Sequence, residues 1–430
     1  MNFGNIVIAL VVTSCCWGQN KILLTHAKVH VGNGQVIEQG VVGIENGVIT
    51  LVNNALTHPY NEADWDTVIK CKNKHLYPGF FAPNNTLGLT EVDAVRSTRD
   101  YNEVGELNPH VRSVIAFNVE SRIVNTVRSN GVLFSQATPR GGIISGTSSV
   151  MKLHGWNWED AVVNEDDGVH LNWPETLQGG GWWAEPSPKK PNEKYQEEQK
   201  LITDFMDAAL AYSKKGKDKK FDARYAAMEG VFSGTKRMYI HADELKALLD
   251  VLEFTSTYKI KYPVIIGGYD AYMITDQLRD AKVAVMLRRV HSLPMNEDDP
   301  VDLVYRLPKL LQEGGVKFCL QNTGDMEAMN ARNIPFLAGS AMGYGLTEEE
   351  AVRSVTLSSA EIMGLGDHYG SIEVGKKATL FVSKGNALDM RTNHVELVVI
   401  DGEFAPVTTH QLELYEKYKA KYEKQRQLKK

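Results

Sequence analysis

Apolar residues come in short runs near both ends of the chain and alternate with helical stripes in the middle. Ile22–Leu24, Val29–Val31, Val41–Ile44 and Val48–Val52 are strand-length runs. Gly32-Asn33-Gly34 and Glu45-Asn46-Gly47 separate them, and Asn46-Gly47 is a type I′ hairpin signal. From residue 76 to about 365, short apolar runs predict strands at 76–81, 131–135, 150–153, 169–173, 238–241, 264–266, 283–287 and 316–320. Amphipathic stripes predict helices at 108–129, 194–214, 242–256, 270–280, 301–313 and 347–362. Eight strands with helices between them predict an α/β fold, a parallel (β/α)8 TIM-type barrel. Strand runs return at 378–382 and 395–400. Residues 408–430 predict a charged helix lying on the barrel, with Leu412, Tyr415, Tyr418 and Tyr422 as its stripe.

Residues 175–200 interrupt the alternation. Gly179, Gly180 and Gly181 precede Trp182 and Trp183, then Pro186, Pro188 and Pro191. After a fourth strand this insert falls on the face where barrel active sites are built. Two readings stand: the tryptophans form a lid or stacking surface, or they pack the loop onto the body.

Ile6–Val12 is an unbroken apolar run followed by small residues up to Gly18. It is far short of the roughly 20 residues that span a bilayer. It predicts a signal peptide over 1–18, hence an exported protein, periplasmic or extracellular, with no membrane span. No Lys or Arg precedes Lys21, so a buried N-terminal strand is the other reading. Val12-Thr13-Ser14-Cys15 also resembles a lipobox, which would anchor the chain through a lipid on Cys15. Removal of 1–18 leaves Cys71 and Cys319, both in strand-like stretches, predicted as buried thiols rather than a disulfide framework.

Composition excludes several classes. Hydrophobic residues make up 43% and charged residues 23%, a globular balance that excludes a disordered or fibrous chain. With 47 basic and 53 acidic side chains the net charge is −6, so there is no basic face to argue for a nucleic-acid partner.

Three segments together resemble the amidohydrolase superfamily, in its imidazolonepropionase-like branch. His75-Leu76-Tyr77-Pro78-Gly79-Phe80 is similar to the family's entry from a small β domain into barrel strand one. Gly345–Thr356 with Ala360–Gly364 is similar to its last barrel helix. Gly370–Leu380 and Val399-Ile400-Asp401-Gly402 are similar to its return strands. The resemblance implies a composite β-sandwich domain from residues 20–75 and 366–405 around a barrel over 76–365. It also implies a metal-dependent hydrolase acting on carbon–nitrogen bonds other than peptide bonds.

The metal-ligand positions depart from the family pattern. The resemblance implies one or two divalent ions, zinc first, held by His-x-His on strand one, histidines on strands five and six and an Asp on strand eight. Here the two strand-one positions hold Asn84 and Thr86, and Val264–Asp270 contains no His. The strand-eight Asp falls nearest Thr323 in Asn322-Thr323-Gly324-Asp325. Only His241, in Tyr239-Ile240-His241-Ala242-Asp243, keeps its place. Amide and hydroxyl oxygens are poor zinc ligands, so the cofactor expectation is a weak or absent divalent metal with His241 as its ligand.

These positions define the candidate site. His241 and Asp325 are the catalytic candidates. Asn84, Thr86, His170 and Asn322 are the substrate-binding candidates; His170 and Asn172 alternate with Val169 and Leu171, so one pair faces inward. The charged stretch Asp93–Glu106, the Arg140-Gly141-Gly142 turn, and Arg288, Arg289 and His291 after the seventh strand are further candidates. Two functions stay open: a hydrolase with a degenerate metal site, and a non-catalytic small-molecule-binding protein on the same barrel. Barrels of this kind commonly self-associate, which leaves a homo-oligomer open, but the sequence does not fix the oligomeric state.

Overall fold

The computed structural model describes residues 21–182, 185–216 and 219–428. The proposed signal segment 1–18, the lipobox and Trp183 lie outside the described residues, as does the side chain of Trp182. The chain opens with β1 (Lys21–His30), β2 (Val36–Glu45), β3 (Val48–Asn54), β4 (Thr67–Lys70) and β5 (His75–Pro78). Asn46 and Gly47 join β2 to β3 with φ of 51° and 78°, both positive as a type I′ turn requires. β2 pairs antiparallel with β1, whereas β4 and β5 run parallel to it.

The barrel strands follow: β6 (Phe80–Asn85), β7 (Val132–Ala137), β8 (Ile144–Lys152) and β9 (Val162–Asn172). A hairpin, β10 (Leu177–Trp182) and β11 (Glu185–Pro191), interrupts them. β12 (Arg237–Ala242), β13 (Pro263–Gly267), β14 (Ala284–Leu287) and β15 (Phe318–Leu320) complete the set. The chain then returns as β16 (Leu380–Ser383), β17 (Val395–Ile400) and β18 (Glu403–Ala405).

Both ends of the chain build one sheet, ordered β18-β17-β16-β5-β1-β2-β3 with β4 beside β1. β16 lies antiparallel on β5, with Phe381 opposite Tyr77. Ile22, Leu24, Val29, Val42, Ile49, Leu380 and Val399 form its own apolar core. A single residue, Gly79, separates β5 from β6, so the chain passes directly from this sheet into the barrel.

The barrel sheet runs β6-β7-β8-β9-β12-β13-β14-β15. The eight strands fall where the apolar runs predict them, with one difference: β8 is antiparallel to both β7 and β9. The linker 138–143 between β7 and β8 is far shorter than a parallel crossover requires. At the seam between β6 and β15, side chains bridge the strands. Asn84 Nδ2 donates to Gln321 Oε1 at 2.8 Å, and Asn85 Nδ2 to the Glu327 carbonyl at 3.1 Å.

Five of the six predicted helices form, at Tyr195–Ser213, Leu245–Thr257, Thr275–Asp280, Leu303–Glu313, and Glu348–Val355 continued by Leu357–Ile362. Thr347 and Glu350 make a reciprocal capping box at the last of these. The helix predicted at 108–129 is a correction: only Arg122–Arg128 is α-helical. The residues before it run along the inverted strand, where Asn108 N–H donates to the Ile144 carbonyl and Thr147 N–H to the Val111 carbonyl. A second correction concerns the tail. His410–Leu428 is helical, but Gln411–Gln427 are exposed all round, so it stands off the barrel rather than lying on it.

Candidate functional site

Strand alternation puts Tyr239 and His241 of β12 on the same inward face, and His170 and Asn172 of β9 on another. His170 Nδ1 and His241 Nε2 are 3.1 Å apart. His170 Nε2 is 2.9 Å from Ser148 Oγ, and that hydroxyl donates to Asp167 Oδ1 at 2.6 Å. Asp167 Oδ2 accepts from the Tyr239 hydroxyl at 2.5 Å and from Gln136 Nε2 at 2.9 Å.

Donor and acceptor rules order the protons along this chain. All three neighbours of Asp167 donate to it, as suits a carboxylate. Ser148, having given its proton to Asp167, accepts from His170 Nε2–H. His170 Nδ1 is then bare and accepts from His241 Nε2–H. That leaves Nδ1 of His241 as the unprotonated nitrogen. Burial raises the Asp167 carboxyl above its ordinary range, opposed by its three hydrogen bonds. Burial, then the neighbouring His241 and Arg140, hold His170 well below the usual imidazole range. Burial, then the Arg140 charge, push His241 down to about 3.

Arg140 follows β7 and closes the other side of the site. Its Nε and Nη2 donate to the two oxygens of Glu327 at 3.1 and 3.0 Å. Nη1 reaches Asn84 Oδ1 at 2.9 Å and Nη2 the Asn84 carbonyl at 2.8 Å. Asn84 N–H in turn donates to Gln136 Oε1 at 2.9 Å, joining this clamp to the Asp167 group. Asn84 has φ of 47°, a left-handed conformation that Asn tolerates better than most residues.

Above these groups a cavity of about 940 Å³ opens at the ends of the barrel strands. Asn84, Thr86, Arg140, Asn172, His241, Asp243, Arg288, Arg289 and Asp325 are among its walls, and the β10–β11 hairpin contributes Leu177, Gly179 and Lys189. Gly267 ends β13 with φ of 106°, and a Cβ there would sit 2.8 Å from Asp243 Oδ1, so this wall admits no side chain.

The structure brings Asn84, Thr86, His170 and His241 together as predicted candidates. Thr86, 2% exposed, also lines the cavity. Asp325 is exposed at the rim, with no hydrogen bond from its side chain to His241 among the described residues. Asn322 is buried but is not part of the cavity wall. Its neighbours Gln321 and Thr323 face the cavity instead, because alternation turns Asn322 away. Gln136, Ser148, Asp167, Tyr239, Gln321 and Glu327 were not singled out by sequence. Tyr239 sits two residues before His241, and that period is the signal that finds it.

The sequence model of the amidohydrolase family matches residues 222–405. Among solved structures, an amidohydrolase from Thermotoga maritima MSB8 is 24% identical with a TM-score of 0.74, covering 90% of this chain and 99% of its own. The family match thus covers the second half of the barrel and the return strands, and the chain as a whole has an amidohydrolase-like fold. A prolidase complexed with N-methylphosphonate-L-proline shares the fold at 16% identity and a TM-score of 0.53, over 90% of this chain and 99% of its own. An adenosine deaminase from Xanthomonas campestris with bound zinc does so at 14% and 0.51, over 89% and 92%. No curated protein matches the chain by sequence.

The resemblance to the amidohydrolase family implies divalent metal in the barrel mouth, and the residues described there do not fit it. A zinc centre needs three or more imidazole, thiolate or carboxylate ligands converging on one point. His170 and His241 are turned onto each other and onto Ser148. The strand-one positions hold amide and hydroxyl groups, and the Asn84 amide is bound to Arg140 and Gln321. Among the described residues, the group of three such side chains with ligand atoms within 4.8 Å of one another is His30, Glu348 and Glu349, none of which lines this cavity.

Proposed function

We propose that this chain is a hydrolase of small molecules that cleaves a carbon–nitrogen bond outside peptides, with a degenerate metal site. One observation carries the reading: a hydrogen-bonded chain from buried Asp167 through Ser148 and His170 ends on His241 in the wall of the cavity. The family match and the amidohydrolase-like fold support the reaction class. In this reading His241 Nδ1 takes a proton from water as the water oxygen bonds to the substrate's electrophilic carbon. The C–N bond then breaks, and the leaving nitrogen takes that proton back. Asp325 at the rim is a second proton carrier within reach of the cavity.

One observation favours a second reading, a binding protein without turnover. With its pKa pushed down to about 3, His241 stays neutral but is a weak base at neutral pH. A panel of amides, lactams and dipeptides, assayed with wild type and His241→Ala, separates the two. Turnover lost in the variant supports the hydrolase; saturable binding with no turnover in either protein supports the binder.

We also propose export with loss of residues 1–18. Sequencing of the protein from its native cell should then begin near Gln19, or at a lipidated Cys15; an intact Met1 refutes both.

A further inference from the structure

Arg288 and Arg289 follow the end of β14 and face the cavity together. The Nε of each is buried without a hydrogen-bond partner among the described residues. A guanidinium carries five donors and keeps its charge at any working pH, so a buried unpartnered Nε is a costly group that calls for an acceptor. Arg288 is partly used: its Nη1 lies 3.5 Å from Asp243 Oδ1, and its guanidinium carbon lies 5.2 Å from the centre of the Tyr269 ring. Arg289 has no side-chain hydrogen bond or ion pair among the described residues. It lies along Gly324, where a Cβ would sit 3.5 Å from Nη1.

The nearby acids are engaged or peripheral. Glu327 is held by Arg140, and Glu244 accepts from the N–H and hydroxyl of Thr176. Asp243 accepts from the Tyr269 N–H at 3.1 Å. Glu175 and Asp325 are exposed, and Asp93 sits on the loop after β6. Lys189 of the hairpin adds a cation to the same cavity, with no ion pair among the described residues.

We propose that the ligand of this cavity carries a carboxylate, and that Arg289 binds it, with Arg288 beside it. A planar fork meeting a carboxylate makes two parallel charge-assisted hydrogen bonds, and Arg289 lines the cavity with no other side-chain acceptor among the described residues. The inference names the substrate class for the hydrolase reading and rests on that reading only for the bond cleaved; the anion subsite serves a binding protein equally.

The test is titration calorimetry with matched probes, N-acetyl amino acids and their C-terminal carboxamides, on wild type, Arg289→Ala and His241→Ala. The free acids should bind at least 10-fold more tightly than the carboxamides. Arg289→Ala should erase that preference with its melting temperature kept, and His241→Ala should retain it. Equal affinity for acid and carboxamide in wild type, no saturable binding of any acid, or a preference that survives in Arg289→Ala overturns the proposal. Acid-selective binding without turnover defeats the hydrolase reading alone; turnover without acid preference defeats the carboxylate subsite alone.

Discussion

His170 and His241 share one hydrogen bond of 3.1 Å, and that contact takes up ring nitrogens that a metal would need. Both imidazoles are held neutral by burial, with the Arg140 charge adding to it. Beside them the Arg140 guanidinium is fixed by Glu327 and Asn84.

Acid should weaken the fold through this pair. The folded-state pKa of His241 is depressed, so its unfolded form binds more protons between about pH 6.5 and 3. Stability is therefore unaffected by this group above the unfolded value and is lost as pH falls through that window. Melting temperatures followed across it should decline in wild type and decline less in His241→Asn. Identical acid profiles for the two would mean that His241 is not buried neutral.

Asp167 should be the most costly polar residue of the barrel to remove. Asp167→Ala strands three buried donors, on Ser148, Tyr239 and Gln136, and should cost about 3–5 kcal/mol. Tyr239→Phe removes one donor and should cost about 1–2 kcal/mol. Urea denaturation of both variants checks the order.

Arg140→Met should free His241 from a positive neighbour and leave Glu327 without its ion pair. The imidazole pKa, followed by NMR, should rise from about 3 toward its ordinary value, and the fold should lose roughly 2–4 kcal/mol. An unmoved imidazole would assign its depression to burial alone.

The sheet shared by both chain ends should not survive division. β5 pairs with β16, so a fragment of residues 20–75 lacks its partners and should show no cooperative melt by circular dichroism. Truncation before His410, by contrast, should change stability by no more than about 0.5 kcal/mol, since Gln411–Gln427 are exposed.

The frame of the molecule was legible because it rests on local patterns. Apolar runs located all eight barrel strands, and Asn46-Gly47 its hairpin. Strand direction was not legible at β8, because direction is set by linker length and by the pairing of 108–112 along it rather than by the run itself. His241, Asn84 and Thr86, singled out by position in the family pattern, lie in the cavity wall, and His170, singled out by alternation, lies beneath it against His241. Asp167, Ser148 and Gln136 were not, since partners from three strands meet only after closure. Asn322 was placed in the site by its position in the sequence, but alternation turns it away from the cavity.

Hydrolysis at this mouth, as proposed, needs no tightly held metal. The most direct measurement is turnover of the amide, lactam and dipeptide panel by protein stripped with chelator, alongside elemental analysis. Clearly less than one zinc per chain is expected, with turnover that survives stripping and is lost in His241→Ala. Stoichiometric zinc whose removal abolishes turnover, with activity restored on adding it back, would contradict the proposal.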